Sequence, residues 1–311
     1  DQEYMRLREY MRGRGAENDR AIVLWLHRML TGEGELPGIV QHPSDGVYHP
    51  DLPRDVTLEQ YLEHLDPSKP TVGLMITSNL WIYDNLRHVD EFIREIERQG
   101  MNVIPVFFAI AASRTSGEEG SVAVVKKYFM DGTRRRIDAL ILSTPFSQLN
   151  NSRDCDGVYT PDEQNYFHTL TDVPVFQAMS VASHFADYEE KAEGLSKSDF
   201  TMNVIWPEVD GQIITVPIAS NEQGRGAPKV YTPLPDRIIH LTTTIRKWVE
   251  LARTPRKDRR IAILMYQSRP DSGRIGGAAG LDTIQSVRDM LERYRNLGYT
   301  VDHVPATSRE L

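Results

Sequence analysis

One cysteine, Cys155, is all the thiol chemistry in 311 residues. An intrachain disulfide is therefore impossible, and a reducing compartment, the cytoplasm, is the expectation. Cys155 stands between Asp154 and Asp156, whose charges raise a thiol pKa and argue against an activated nucleophile. No apolar run approaches the ~18 residues of a membrane span, and no signal-peptide pattern opens the chain. Positive charge is in deficit: 36 Lys and Arg against 44 Asp and Glu leave a net charge of −8. That balance disfavours binding to nucleic acid or an anionic membrane. The basic runs Arg134–Arg136 and Arg256–Arg260 flank expected strands and read as solvated.

Several motifs are missing as well. The glycines do not fall as GxGxxG, no Lys-Ser/Thr pair follows them as a P-loop requires, and there is no GxSxG elbow. His42, His49 and His64 are near one another in sequence but form no HxxxH or HExxH pair, and no cysteine joins them. No resident metal is expected from that set. His49 precedes Pro50, which pushes it toward extended backbone and a structural turn. There is no internal repeat and no low-complexity tract.

What remains is a chain long enough for one large or two ordinary domains, 40% apolar and 26% charged. Residues 1–67 read as a helical lead-in and loop. Two helices are separated at Gly13–Gly15, and the second carries an apolar face of Ala21, Val23, Leu24, Leu26 and Leu30. Thr57 with Gln60 makes a capping box for a short helix. Residues 68–227 alternate apolar runs with amphipathic stretches. Strands are expected at 71–76, 102–109, 137–142, 173–179 and 212–218. Helices are expected at 86–99, 122–129, 161–170 and 188–193, the first closed by Gly100. This is the pattern of a doubly wound, largely parallel sheet. Residues 228–258 form a long connecting helix and linker. Residues 259–311 begin a second α/β unit, with strands at 261–266 and 300–305 around one helix. The chain opens at Asp1 without an initiator methionine and stops soon after the last strand, which suggests a piece of a longer protein.

Two loops fall at carboxyl ends of strands, where parallel sheets bind ligands. Asn79, Trp81, Tyr83 and Asn85 follow the first strand, and their amides and rings could grip a flat, polar-rimmed ligand. A plain strand-to-helix connection is the alternative. Gly273, Arg274, Gly276 and Gly277 lead to Asp282, a helix cap. That loop suits a phosphate at the helix start, another ligand, or simply tight packing. Glu208 and Asp210 are close enough to share a site, although Gly211 makes a turn the simpler account.

Four stretches, in one order, resemble the large subunit of the tetrapyrrole metal chelatases, that is, the large subunit of cobaltochelatase (CobN) and its counterpart in magnesium chelatase. They are Gly46-Val-Tyr-His-Pro-Asp51; Pro70-Thr-Val-Gly-Leu74 with Gly100-Met-Asn-Val-Ile-Pro-Val-Phe107; Pro207-Glu-Val-Asp-Gly211; and the Gly273–Asp282 loop followed by Ser286. Arg274 stands where the family usually has Asn, and Ser78-Asn79 where Arg-Ser is common. The Gly280-Leu-Asp282 ending is closer to the cobalt branch. The resemblance implies an amino-terminal quarter to third of a large subunit that binds a corrinoid or porphyrin precursor. It implies Co²⁺ or Mg²⁺ as substrate, separate AAA+ subunits that hydrolyse ATP with Mg²⁺, and a fragment inactive alone. The substrate-binding candidates are Asn79, Trp81, Asn85, His49, Gly273, Arg274, Gly276, Gly277 and Asp282; no catalytic base is assigned. A non-catalytic tetrapyrrole-sensing homologue and an unrelated α/β ligand-binding domain are the rival readings.

Overall fold

A computed structural model describes residues 2–110, 120–148, 166–190, 192, 194–223, 229–266, 276–277 and 280–311. Cys155, Gly273 and Arg274 lie outside the described residues. The chain divides into two units, Asp1–Arg246 and Lys247–Leu311.

The first unit is built on one seven-stranded sheet. Its strands are β1 (Asp45–Val47), β2 (Thr71–Thr77), β3 (Asn102–Phe108), β6 (Ala139–Ser143), β7 (Val175–Val181), β8 (Ile213–Asn221) and β9 (Tyr231–Pro233). They lie in the order β1-β3-β2-β6-β7-β8-β9, while β4 (Met130–Asp131) and β5 (Arg134–Arg135) form a separate hairpin. The five central strands are parallel. The short β1 and β9 add antiparallel at the two edges, blunting what would otherwise be open parallel edges.

The reason for the central position of β2 is in its sequence. Val72 to Ile76 form an unbroken buried run, as a strand covered on both faces requires. Alternate residues supply alternate faces. Met75, Ile104, Val106, Phe108, Leu140 and Leu142 share one core cluster with Val124, Val125 and Phe129 of helix α6 (Ser121–Phe129). Phe107 faces the other way and stacks on Trp81. Gly73 is required by packing: a Cβ there would lie 2.8 Å from the Phe129 ring and 3.1 Å from Leu140.

Helices α1 (Gln2–Gly13) and α2 (Gly15–Thr31) break where expected, at Arg14 with φ 55° and Gly15 with φ 84°. The expected apolar face of α2 is not its packed face. Ala21 is buried, but Val23, Leu26 and Leu30 are 64%, 50% and 86% exposed. The buried stripe is Gly15, Asn18 and Ala21, spaced by three and small enough to admit the 32–42 connection. Asn18 fastens that connection, donating to the Val40 carbonyl at 2.8 Å and accepting from Val40 N–H at 3.0 Å. Helix α3 (Leu58–Leu62) carries both bonds of the Thr57–Gln60 capping box. Residues 78–85, expected as a loop, begin with a helical turn, α4 (Ser78–Ile82), before α5 (Arg87–Arg98). Helix α5 ends at Gly100, whose φ of 79° matches its expected role.

After α6 come α7 (Phe167–Thr171), α8 (Phe185–Glu190), α9 (Lys197–Phe200), a π-helical turn Thr201–Ile205, α10 (Trp206–Val209) and the long α11 (Pro235–Arg253). In the second unit α12 (Thr283–Asn296) forms as expected, with the Asp282 side chain accepting from Gln285 N–H at 3.0 Å. The flanking segments 261–266 and 300–305, expected as strands, carry no ladder, because neither pairs with the other or with a third strand among the described residues. Leu264 and Tyr266 are consequently 94% and 76% exposed.

Substituting Gly73→Ala is expected to destabilise the first unit by about 1–3 kcal/mol through overpacking against Phe129. Urea unfolding would measure it, and an unchanged midpoint would refute this account of the β2–α6 contact.

Candidate functional site

In chain order the five parallel strands occupy the sheet as second, first, third, fourth and fifth. The chain therefore lays β3 to one side of β2, then crosses back to build β6, β7 and β8 on the other. Connections leaving β2 and β6 diverge, and a crevice opens at their carboxyl ends. A cleft of about 710 Å³ lies there, within the ~300–1,000 Å³ typical of small-molecule sites. Leu80, Tyr83, Leu86, Ile110 and Pro145 give it apolar walls, and Val230 and Tyr231 close the far side.

Its polar lining comes from the strand ends: Thr77 from β2, Ser143 from β6 and Ser180 from β7. The Ser143 and Ser180 hydroxyl oxygens are buried and have no hydrogen-bond partner among the described residues. The π-helical turn brings Asn203 into the lining, a use of π geometry common at functional sites. Two exposed cations, Arg87 and Lys229, line the cleft, and neither makes an ion pair among the described residues. The carboxylate in the lining, Asp84, is taken up by Arg54 at 2.6 Å. A chain of net charge −8 thus presents unpaired positive charge at this cleft.

The sequence-expected residues divide. Asn79 and Asn85 both line the cleft. Asn79 accepts a hydrogen bond from Arg14 Nη1 at 3.1 Å through its Oδ1. Asn85 is a clamp: its Nδ2 donates to the Lys229 carbonyl at 2.8 Å, and its Oδ1 accepts from Tyr231 N–H at 3.1 Å. Trp81 does not line the cleft. It is buried, stacked on Phe107 with ring centroids 4.4 Å apart, and Arg54 covers it at 5.0 Å. His49 is not among the cleft-lining residues and pairs with Glu97 at 3.2 Å. Gly276, Gly277 and Asp282 belong to the second unit. Gly276 has φ 64°, its N–H donates to the Tyr266 carbonyl at 2.7 Å, and its own carbonyl accepts from the Thr283 hydroxyl. Among the described residues no group of three or more His, Cys, Asp or Glu could hold a metal ion. No helix among them is long and apolar enough to cross a membrane.

A family model described as CobN/magnesium chelatase matches residues 8–311. The chain belongs to that family. The CobN protein of the aerobic cobaltochelatase of Pseudomonas aeruginosa is 29% identical over 276 residues, covering 86% of this chain and 20% of that protein. The H-type component of the magnesium chelatase of Rhodobacter capsulatus is 24% identical over 327 residues, covering 97% of this chain and 26% of that protein. The catalytic subunit of cobaltochelatase from Mycobacterium tuberculosis has the same fold, with a TM-score of 0.67 at 21% identity, over 99% of this chain and 24% of that one. The chain therefore spans about a quarter of the length of the relatives it matches.

Two of the four stretches singled out in the sequence act here as fastenings. In Gly46–Asp51, the Tyr48 hydroxyl donates to Asp90 at 2.6 Å, His49 meets Glu97, and Asp51 pairs with Arg94 at 3.0 Å. Three consecutive turns of α5 are thereby pinned to the segment after β1. In Pro207–Gly211, the buried Asp210 accepts from Ser147 Oγ and Gln148 N–H, both at 2.7 Å. Gly211 takes φ 78°, so the turn reading of this segment holds and its carboxylate secures the connection leaving β6. Ser143, Ser180, Arg87, Asn203 and Lys229 went unread in the sequence. The signal for the two serines was present: each immediately follows an expected parallel strand, the position that lines such a crevice.

Beside the cleft, His88 of α5 is fully buried, packs with its ring centroid 5.3 Å from that of Tyr231, and has no partner for either ring nitrogen among the described residues. Burial lowers its pKa to about 4. Above pH ~6.5 folded and unfolded chains both hold a neutral imidazole, and the group is silent. Between about 6.5 and about 4 the unfolded chain alone takes up the proton, so the fold loses stability as pH falls, by roughly 3 kcal/mol at full extent. Denaturant unfolding between pH 7 and 4 should show this slope, reduced in His88→Leu; an identical slope in the variant would contradict it. Asn85→Ala is expected to destabilise the β9 edge by about 1–2 kcal/mol and speed amide exchange at Tyr231. Unchanged exchange there would refute the clamp.

Proposed function

We propose that this chain is the tetrapyrrole-contacting front region of a metal chelatase large subunit, and that the whole protein inserts Co²⁺ into a corrinoid precursor. The observation that carries the reading is the family match along nearly the whole chain, with its four motifs in order. The Gly280-Leu-Asp282 ending favours cobalt over magnesium. The cleft suits such a substrate class in its chemistry: apolar walls for a flat macrocycle, with hydroxyls, amides and cations for its polar rim. ATP and its Mg²⁺ are assigned to separate AAA+ subunits, as the resemblance to the chelatase large subunits implies. Insertion also requires bases for two pyrrole N–H protons; histidine and glutamate suit that step, and none of the residues described here is assigned it. A reducing compartment, the cytoplasm, fits the single cysteine.

The test is reconstitution of the full-length protein with its AAA+ subunits. With ATP and Co²⁺, the absorbance of hydrogenobyrinate diamide is expected to shift to that of the cobalt complex, and to remain unchanged without ATP. Mg²⁺ insertion into protoporphyrin instead would move the assignment to the magnesium branch. Tetrapyrrole binding with insertion of neither metal would overturn the chelatase reading in favour of a sensing homologue.

A further inference from the structure

In the second unit one segment has a composition that its surroundings do not match. Ile261-Ala-Ile-Leu-Met-Tyr266 is six apolar residues in a row, as in a strand covered on both faces and paired within a sheet. Yet Ile261, Leu264, Met265 and Tyr266 are all exposed, Leu264 almost completely. Among the described residues no backbone N–H or C=O of 261–265 makes a hydrogen bond. Only Tyr266 is engaged, its carbonyl accepting from Gly276 N–H at 2.7 Å. Helix α12 shows the same lack of cover: Ile284, Val287, Leu291 and Tyr294 share a face, and only Val287 is buried. The lead-ins to the two extended segments are nevertheless fastened together. Thr300 Oγ1 donates to the Lys257 carbonyl at 2.7 Å, and Arg256 Nη1 to the Leu297 carbonyl at 3.3 Å. Segments 261–266 and 300–305 thus start side by side around α12, the layout of a strand-helix-strand unit, with no sheet to belong to.

We infer that Ile261–Tyr266 is a docking strand, and that its occupant is a strand of the same polypeptide lying beyond Leu311. The inference rests on the reading of this chain as the front region of a large subunit, and adds to it where the following region attaches. Because the segment is apolar on both faces, it needs a sheet with cover on each side. A contact between finished domains, whose surfaces are no more apolar than the rest, does not give that. It also carries no charge or proline of the kind that guards an edge meant to stay open. This chain covers only 20% and 26% of two of its relatives, so proteins of this family have length enough for further strands and covering helices. Parallel strands of one sheet are joined within one chain by crossovers, which favours that source over a second copy. Pairing would also fix the glycine turn. The Tyr266 carbonyl holds Gly276, whose own carbonyl accepts from the Thr283 hydroxyl at the start of α12.

The test uses the full-length protein in two measurements. By hydrogen exchange, amides 262–266 are expected to exchange about a hundredfold or more slower than in an unstructured peptide. In the second, benzoylphenylalanine is placed at position 264, and its photochemical adduct is mapped by mass spectrometry. The adduct is expected within the same polypeptide, at residues beyond Leu311, with a yield that dilution does not change. Placed at position 266, the same probe reads the same neighbour if the first variant does not fold. Unprotected amides across 262–266 would overturn the inference. So would an adduct to a second copy, to another subunit, or confined to residues 1–311. Unprotected amides in a protein that still inserts metal on reconstitution would sink this inference and leave the chelatase reading standing. Protection and an adduct beyond Leu311 in a protein that inserts no metal would do the reverse.

Discussion

The structure depends on one topological constraint: the chain starts its parallel sheet in the middle. β2 is laid down first, β3 goes to one side, and every later parallel strand goes to the other. Because β2 is flanked on both edges and covered on both faces, its residues must be apolar and, at Gly73, devoid of a side chain. The same order forces the connections after β2 and β6 apart at their carboxyl ends, and a crevice is the geometric consequence. The cleft is thus not an addition to the fold. It is where this winding order leaves the sheet uncovered.

The surroundings of the cleft are held by polar clamps of two kinds. Some are saturated, such as Asn85 on residues 229–231 and Asp210 on residues 147–148. These carry structure. Others are unsaturated among the described residues, such as the Ser143 and Ser180 hydroxyls. A buried hydroxyl without a partner costs about 1–3 kcal/mol, and such losses are tolerated where function requires the group.

Much of this was legible in the sequence. Unbroken apolar runs such as Thr71–Ile76 mark strands buried on both faces, and helical spacing with a glycine stop located α5 and its end at Gly100. The position of Asn79 and Asn85 after the first strand was enough to place them at the cleft. What was hidden is direction and partner. Trp81 lies between those two asparagines yet turns into the core, because α4 is a helical turn that rotates successive side chains about its axis. The apolar residues of α2 suggested one packed face, while the small stripe of Gly15, Asn18 and Ala21 is what packs. The motif-like segment Gly46–Asp51 carries the same ambiguity: it serves to pin α5, with His49 bound to Glu97. Strand-like composition at 261–266 could not by itself supply a neighbour to pair with.

The central claim is that the crevice between β2 and β6 receives the ligand. Hydrogen exchange of the full-length protein, with and without hydrogenobyrinate diamide, addresses it most directly. Protection is expected at residues 77–87, 143–145, 180 and 229–231, all at carboxyl ends or their closing wall. Saturating ligand that leaves every one of those segments exchanging as in the free protein would contradict the account.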